Sequence, residues 1–416
     1  MVDTQCIIAG GGPAGVMLGY LLARAGVHVA VFEKHADFFR DFRGDTVHPS
    51  TLTVMYELGL LDEFLKVPHN EIRQLSGRFA GVNLNLVDFA HIPGPCKFVA
   101  FMPQWDFLNF LAERGRRLPA FHLEMEALVD DLIFDGERIV GVRVTTKGET
   151  RELRAPLVVA ADGRDSILRE RAQMKPREHG SPIDVLWMRI PRHPGDPGQA
   201  FGNIAPGGVL VTLDRGDYFQ CAFVIQKGGF ERIKSLGIDY LRQQISVLAP
   251  FLSDRVSEIK TFDDVKLLTV TIDRLPVWYR PGLLFIGDAA HAMSPIGGVG
   301  INLAIQDAVA TANILAAKLR TGTVGVHDLA AVQRRREFPT KVIQGFQVLA
   351  QNLGVNRVLN AQEQFKPPLL FRLFDSNALL RTLPALFIGV GPRPEHVSRV
   401  ITSPEMQQSE RAAYGS

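Results

Sequence analysis

Ile7-Ile8-Ala9-Gly10-Gly11-Gly12-Pro13-Ala14-Gly15-Val16-Met17-Leu18 is the stretch that decides the fold of this chain. The short apolar run Thr4 to Ala9 predicts a buried strand, and it breaks into glycines. From Val16 to Ala25 apolar residues recur at helical spacing and stop before Gly26, which predicts a helix. Val27 to Phe32 is again a short β-branched run, ending in Glu33, so the first 33 residues predict one βαβ unit with parallel strands. In Gly10-x-Gly12-x-x-Gly15 the glycines permit a tight turn and let a helix N-terminus approach a pyrophosphate, whose charge the free N–H groups and the helix dipole favour. Glu33 lies 33 − 15 = 18 positions beyond Gly15. At a strand end it can accept from ribose hydroxyls, and an acid there argues against a 2′-phosphate. The plainer alternative is a structural glycine turn with Glu33 as a solvated strand end.

The rest of the chain is consistent with an enzyme-sized globular protein. Its 416 residues allow two or three domains, and 46% hydrophobic residues suffice for a sizeable core. Lys+Arg number 46 against 44 Asp+Glu, a net charge of +2 without a basic tract, so no nucleic-acid partner is expected. Cys6, Cys96 and Cys221 are far apart, which predicts neither a disulfide framework nor a zinc site and fits a reduced, cytoplasmic setting. The apolar segment Cys6 to Leu22 follows Asp3 rather than a basic stretch and is read as structure, not as a signal peptide. With no uninterrupted apolar run of about 18 residues, no integral membrane segment is expected.

Further along, Pro49 to Leu60 and Trp105 to Arg116 read as helices. From His122 to Val159 alternating strands are punctuated by Asp135-Gly136 and Lys147-Gly148. Between about Glu178 and Thr271 the chain is rich in Gly and Pro, with strand-like stretches at Val185 to Ile190, Gly208 to Leu213, Tyr218 to Ile225 and Val265 to Ile272. This predicts an antiparallel sheet, joined by the earlier segment Gln74 to Phe89. Leu283 to Ile286 is one more buried-type strand, followed by a helical pattern from Ile301 to Leu319. The remainder is apolar and helical, interrupted by Pro339, Pro367, Pro368 and Pro384.

Two further segments follow buried strands. In Gly287-Asp288-Ala289-Ala290-His291, with Pro295, Gly297, Gly298 and Gly300 opening the next helix, a carboxylate at a strand end sits beside a glycine-rich helix start. That pairing suits a sugar-like chain and an electron-accepting ring, although Asp288 alone would pass for a helix N-cap. Asp162-Gly163-Arg164-Asp165-Ser166 is the other, and its plain alternative is a solvated turn.

On these residues, GGGPAG at 10 to 15, Glu33, the segment from Asp162 and GDAAHAMSPIGGVGINLAIQDA from Gly287 to Ala308, the chain resembles the single-component FAD-dependent aromatic hydroxylases, the para-hydroxybenzoate hydroxylase-like flavoprotein monooxygenases. The resemblance covers about residues 3 to 320. It implies that Gly10, Gly12, Gly15 and Glu33 hold the ADP half of FAD, that Asp288 binds the ribityl chain, that the backbone of Ile301 and Asn302 faces the flavin pyrimidine, and that Pro13, Ala14, Lys34, Asp162, Gly287, Gly298 and Gly300 also belong to the FAD site. Arg43 and Gln104 occupy places where the family contacts the flavin. Pro295, Gly298 and Tyr218 are the candidate catalytic positions: Pro295 and Gly298 shape the loop beside the ring and its positive helix end, and Tyr218 would orient a phenol. His291 reads more simply as a hydrogen-bonded structural residue. No metal is called for.

The expected fold class is α/β: a Rossmann-like FAD-binding domain (residues 1–73, 98–177 and 273–320), an interleaved antiparallel-sheet substrate domain (74–97 and 178–272) and a helical C-terminal region (321–416) that packs on the body or on a second copy as a homodimer. The resemblance implies a monooxygenase in which NADPH or NADH reduces FAD transiently, O2 adds at flavin C4a, and the hydroperoxide hydroxylates a small electron-rich aromatic, phenolic or quinol-like. A flavin-dependent halogenase or an FAD-dependent reductase of the same fold is the alternative. Halogenases carry Trp-x-Trp-x-Ile-Pro, from which Trp187-Met188-Arg189-Ile190-Pro191 departs. No second Gly-x-Gly-x-x-Gly follows a strand after residue 33, so the nicotinamide nucleotide is expected to dock on a surface near the flavin, supported by Asp162, Gly163 and Arg164. On the substrate sheet Arg189, Tyr218 and Gln220 are candidates whose facing parity leaves open.

Overall fold

Four short apolar strands form the centre of the computed structural model, which describes residues 4–39, 46–79, 81–197, 201–361, 363 and 366–402. Cys6–Ala9 lies between Leu157–Ala160 and Val29–Phe32, all parallel, with Leu283–Phe285 and Phe121–Glu124 outside them and Tyr279–Arg280 as an antiparallel edge. The four central strands are apolar throughout because both faces are covered. Cys6 and Ile8 pack with the helices Pro13–Arg24, Gln104–Arg116 and Gly300–Arg320, whereas Ile7 and Ala9 pack with Val129, Ile139, Val142 and Val144. The latter belong to an antiparallel three-stranded sheet, Ala127–Asp135, Arg138–Thr146 and Glu149–Arg154, turned at Gly136 and at Lys147-Gly148, all with positive φ.

A second sheet of seven strands runs Lys266–Leu268, Ile183–Pro191, Tyr218–Gln226, Gly208–Asp214, Phe201–Ala205, Gln74–Phe79 and Val82–Asp88. It is antiparallel except that Phe201–Ala205 pairs parallel with Gln74–Phe79, the point where the two chain segments meet. The expected strand Val265 to Ile272 is shorter than its apolar pattern. The buried Asp184 carboxylate accepts from Val270 N (3.0 Å) and from Lys227 Nζ (3.0 Å), which bends the chain off the ladder. Two helices, Phe230–Leu236 and Ile238–Leu248, stand where only strands and loops are expected from the sequence; Leu241, Ile245 and Leu248, spaced four and three apart, carry the helical signal.

The helix Val326–Leu349 continues through a π-helical turn, Ala350–Val355, and is bonded to Gly300–Arg320 through Arg336. One helix bears on the expectation of no membrane segment. Ile296–Arg320 has the length and mean hydropathy, 1.3, of a spanning helix, with 78% of that window buried inside the fold. Its apolar faces are those of a core helix, packed against Pro13–Arg24 from within. Polar Asn302, Gln306 and Asp307 interrupt the apolar run without leaving the interior, which is why run length alone missed it.

Candidate active site

The three glycines of the first turn serve different ends. Gly10 has φ +105°, and a Cβ there would lie 2.3 Å from Ala161 O; a Cβ on Gly15 would lie 1.9 Å from Gly10 O. These two are required by the turn and by helix-on-strand packing. Gly12 is different, with an ordinary φ of −72° and nothing within 4 Å of its would-be Cβ. No side chain caps the helix that follows. An open approach to uncapped N–H groups is a cradle that a side chain would fill. Beside it Glu33 is buried, 8% exposed, and accepts from Gly11 N (2.9 Å) and His35 N (3.1 Å), so it is no solvated strand end.

Two strand ends bring the acids of the other segments alongside. Arg164 Nη2 reaches Asp288 Oδ2 at 3.5 Å, a pairing across 124 positions that replaces the local partners Asp165 or Glu170 a turn would offer. Asp162 accepts from Leu168 N with one oxygen (3.2 Å), while its Oδ1 is shielded and without a partner. Burial pushes its carboxyl above the ordinary aspartate range, with Ser166 and Leu168 N pulling back. A buried carboxylate oxygen without a partner is one of the exceptions that call for a ligand or a function. Gly287 has φ +59° and packs against Ala14 and Ala304, tying both glycine-loop helices to one strand end.

The second loop is held from two sides. Asn302 makes every hydrogen bond its amide allows. Its Oδ1 accepts from His48 N (2.8 Å) and Thr51 Oγ1 (2.7 Å), and its Nδ2 donates to Thr46 O (3.1 Å) and Gly298 O (3.4 Å). Gly298 has φ +63°, and a Cβ there would meet Thr46 Oγ1 at 2.6 Å. Pro295 is half-buried and its carbonyl accepts from Gly298 N (3.0 Å). From the far side the helix Val326–Leu349 and its π-helical extension supply Gln344, Gln347 and Gln351. Gln344 Nε2 donates to Asp273 O (2.7 Å) and Ala292 O (2.9 Å); Gln347 Nε2 donates to Ser294 O (2.9 Å) and Ile296 O (3.0 Å) and its Oε1 accepts from Ser294 N (3.1 Å); Gln351 donates to Ser294 Oγ. The sequence reading missed these three. Their spacing of three and four on one helix face was the available signal.

The loop leads into the N-terminus of Gly300–Arg320, a helix of 21 residues with no side-chain cap. Gly300 has nothing within 4 Å of a would-be Cβ, the same open approach as at Gly12. Ile301 is half-buried beside it. His291 points away from this opening. It is 1% exposed, its Nε2 lies 2.6 Å from Asp307 Oδ2, and Arg336 Nε donates to Asp307 Oδ1 (2.9 Å). Burial alone would raise the Asp307 carboxyl, but His291 and Arg336 hold it below the usual range. Arg336 goes on to Glu395 (3.2 Å), completing a buried charge chain that locks the C-terminal region to the core.

Packing resolves the parity of the seven-stranded sheet. Leu186, Met188, Ile190, Phe219, Cys221 and Phe223 face the helix Ile238–Leu248. The alternate residues, Val185, Trp187, Ala222 and Val224, face the side that carries Ile296 of the second loop. Arg189 and Gln220 are paired in register on that side, and Tyr218 follows two residues from Gln220. The Arg189 guanidinium lies 5.1 Å from the Tyr218 ring centroid, and Gln220 Nε2 is buried without a partner. Of the other residues expected at the flavin, Gln104 is half-buried in the first turn of Gln104–Arg116, Lys34 is exposed beyond Glu33, and Arg43 lies outside the described residues.

Open, uncapped helix starts at Gly12 and Gly300 flank the strand end that carries Gly287 and Asp288, and similarity to known proteins makes the chain an FAD-dependent monooxygenase. The chain belongs to the FAD binding domain family, whose model matches residues 3–345. It is 32% identical over 362 residues to 6-methylpretetramide 4-monooxygenase of Streptomyces rimosus, covering 84% of both chains. It is 26% identical to the uncharacterized aromatic compound monooxygenase YhjG of Bacillus subtilis (strain 168), covering 77% of this chain but only 63% of that relative's length. Among solved structures, p-nitrophenol 4-monooxygenase PnpA from Pseudomonas putida DLL-E4 superposes with a TM-score of 0.74 at 20% identity over 92% of this chain and 97% of its own, a likeness of fold.

Proposed function

We propose that this monooxygenase uses NADPH or NADH and O2 to hydroxylate an electron-rich aromatic, phenolic or quinol-like, with a fused polyketide-like ring system as the substrate class suggested by the Streptomyces rimosus relative. The observation that carries the proposal is the meeting of three chain segments at one edge: Gly12, Asp288 and the uncapped start of Gly300–Arg320. Gly10 and Gly15 would build the first turn, Gly12 would admit the pyrophosphate, and Glu33 would accept from the adenosine ribose with the lone pairs that Gly11 and His35 leave. Asp162 Oδ1 and Asp288 would take hydroxyls of the chain between phosphate and ring. Bound there, FAD supplies the reductive activation of O2.

The protein's own residues supply placement, charge and dryness. The N–H groups of Gly300, Ile301 and Asn302 would stabilise negative charge near the ring. Pro295 and Gly298, fixed by Gln347 and Thr46, would keep the loop closed against water. Tyr218, with Arg189 stacked on it, would donate to a phenolic oxygen, and Gln220 Nε2 offers a second donor on the same strand. The nicotinamide nucleotide would dock beside Arg164, whose bond to Asp288 couples that surface to the cofactor. Screening phenols, quinolones and polyketide-like aromatics for substrate-stimulated NADPH oxidation tests the proposal. At least one should raise the rate tenfold or more; no stimulation across all three classes contradicts it.

A further inference from the structure

We propose a second binding site, behind the substrate sheet, for a small organic carboxylate with an apolar body. It occupies a cavity of about 210 Å3 lined by Arg78, Asn203, Ile204, Val247, Leu248 and Pro250, among others. Asn203 and Arg78 are partners in the parallel register of Phe201–Ala205 with Gln74–Phe79, so their side chains leave the same face of the sheet. That face is also the one of Leu210, opposite Asn203 on the next strand, and Leu210 packs with Leu241, Ile245 and Leu248. Ile296 and the second loop pack on the other face. The cavity is therefore separated from the flavin cleft by the thickness of the sheet.

Its chemistry is unspent. Asn203 is 3% exposed, yet its Nδ2 is shielded from solvent and has no partner. Buried amides are almost always satisfied, and the exceptions call for a ligand or a function. Arg78 has an exposed side chain at the mouth and no ion pair among the described residues. The Arg78 guanidinium fork donates to a carboxylate, and the Asn203 amide on the same face would add an N–H by turning its side chain into the cavity. Val247, Leu248 and Pro250 are apolar and would be left unused by phosphate. At a share of roughly 30 Å3 per water in the liquid, the space holds about seven waters, enough for a six-membered carbon ring and its carboxylate.

Cyclohexanecarboxylate is the probe, because it has the anion and the apolar body but no electron-rich ring for the flavin to act on. Titrated calorimetrically into the FAD-loaded protein, it should bind saturably at one site below about 10 mM without changing the flavin absorbance. Acetate and inorganic phosphate should bind at least tenfold more weakly, and Arg78→Gln and Asn203→Leu should each weaken cyclohexanecarboxylate at least tenfold. Asn203→Leu should also raise the thermal midpoint of the ligand-free protein, since an unpaired buried amide is exchanged for an apolar group. Equal affinity in the variants, phosphate binding as tightly, a flavin shift tracking the titration, or no saturable binding would each overturn the proposal. Arg78 is exposed, so its variant keeps the test valid should Asn203→Leu fold poorly.

Discussion

Replacing Gln347 with Leu should open the loop that runs from Ala292 to Gly298 while leaving every residue of that loop unchanged. Gln347 is 1% exposed, and its amide makes three hydrogen bonds, from Nε2 to Ser294 O and Ile296 O and to Oε1 from Ser294 N. Leucine is close to it in volume and leaves those three loop groups without their partner. A buried group deprived of its bond costs about 1–3 kcal/mol. Two of the three are carbonyls, for which the lower end applies, so the closed loop should lose at least about 3 kcal/mol. At about 1.4 kcal/mol per factor of ten, the opened population rises roughly 100-fold. Amide hydrogen exchange followed by mass spectrometry on a peptide covering 292–298 should show protection reduced by about that factor, with the central strands unchanged. A wetter loop should also release more hydrogen peroxide per NADPH consumed. Exchange in that peptide within about threefold of the parent protein would refute the claim that the glutamine row holds the loop shut.

Other outcomes follow from the same geometry. Gly12→Val should fold, since its φ is ordinary and the space is open, but should purify without FAD; Gly10→Val should lose the fold because of its φ of +105° and the Ala161 carbonyl. Flavin absorbance and circular dichroism of the two variants check this. His48 is 1% exposed, and burial lowers its pKa from 6.5 to about 4. Folding therefore favours its neutral form: its contribution is complete above pH 6.5 and is lost as the pH falls toward 4, about 3 kcal/mol for a gap of roughly 2.5 pH units. Thermal midpoints from pH 7 to 4.5 should fall less steeply in His48→Gln than in the parent protein. In stopped-flow experiments without oxygen, NADPH or NADH should reduce the flavin at least about tenfold faster with substrate bound, roughly 1.4 kcal/mol of coupling, and equal rates would defeat substrate gating.

Much of this architecture was legible because the decisive signals are local. A strand, three glycines and a helix are adjacent in sequence, and their geometry follows from backbone sterics alone. What the sequence left open depends on pairings across hundreds of positions. The parity of Tyr218, Gln220 and Arg189 was unreadable until the helix Ile238–Leu248 was seen to cover the alternate residues, and that helix was itself hidden in a Gly- and Pro-rich stretch. For Arg164 a solvated turn stayed open as the alternative to a role near the flavin, because its partner, Asp288, is 124 positions away. Gln344, Gln347 and Gln351 carry a visible helical spacing, but nothing in it says that the loop at 292–296 will lie against that face. His291 reads from the sequence as a hydrogen-bonded structural residue, but its partners, Asp307 and through it Arg336, lie 16 and 45 positions away and are shown only by the buried chain they form.

The central claim is that one atom of O2 ends in the product. Turnover of an accepted aromatic substrate under 18O2 in ordinary water, with NADPH supplied and the product read by mass spectrometry, tests it most directly. The account predicts a product heavier by one labelled oxygen, with the label absent when 16O2 and labelled water are used instead. A product labelled only from water, one that carries halide, or one that gains hydrogen alone would contradict it.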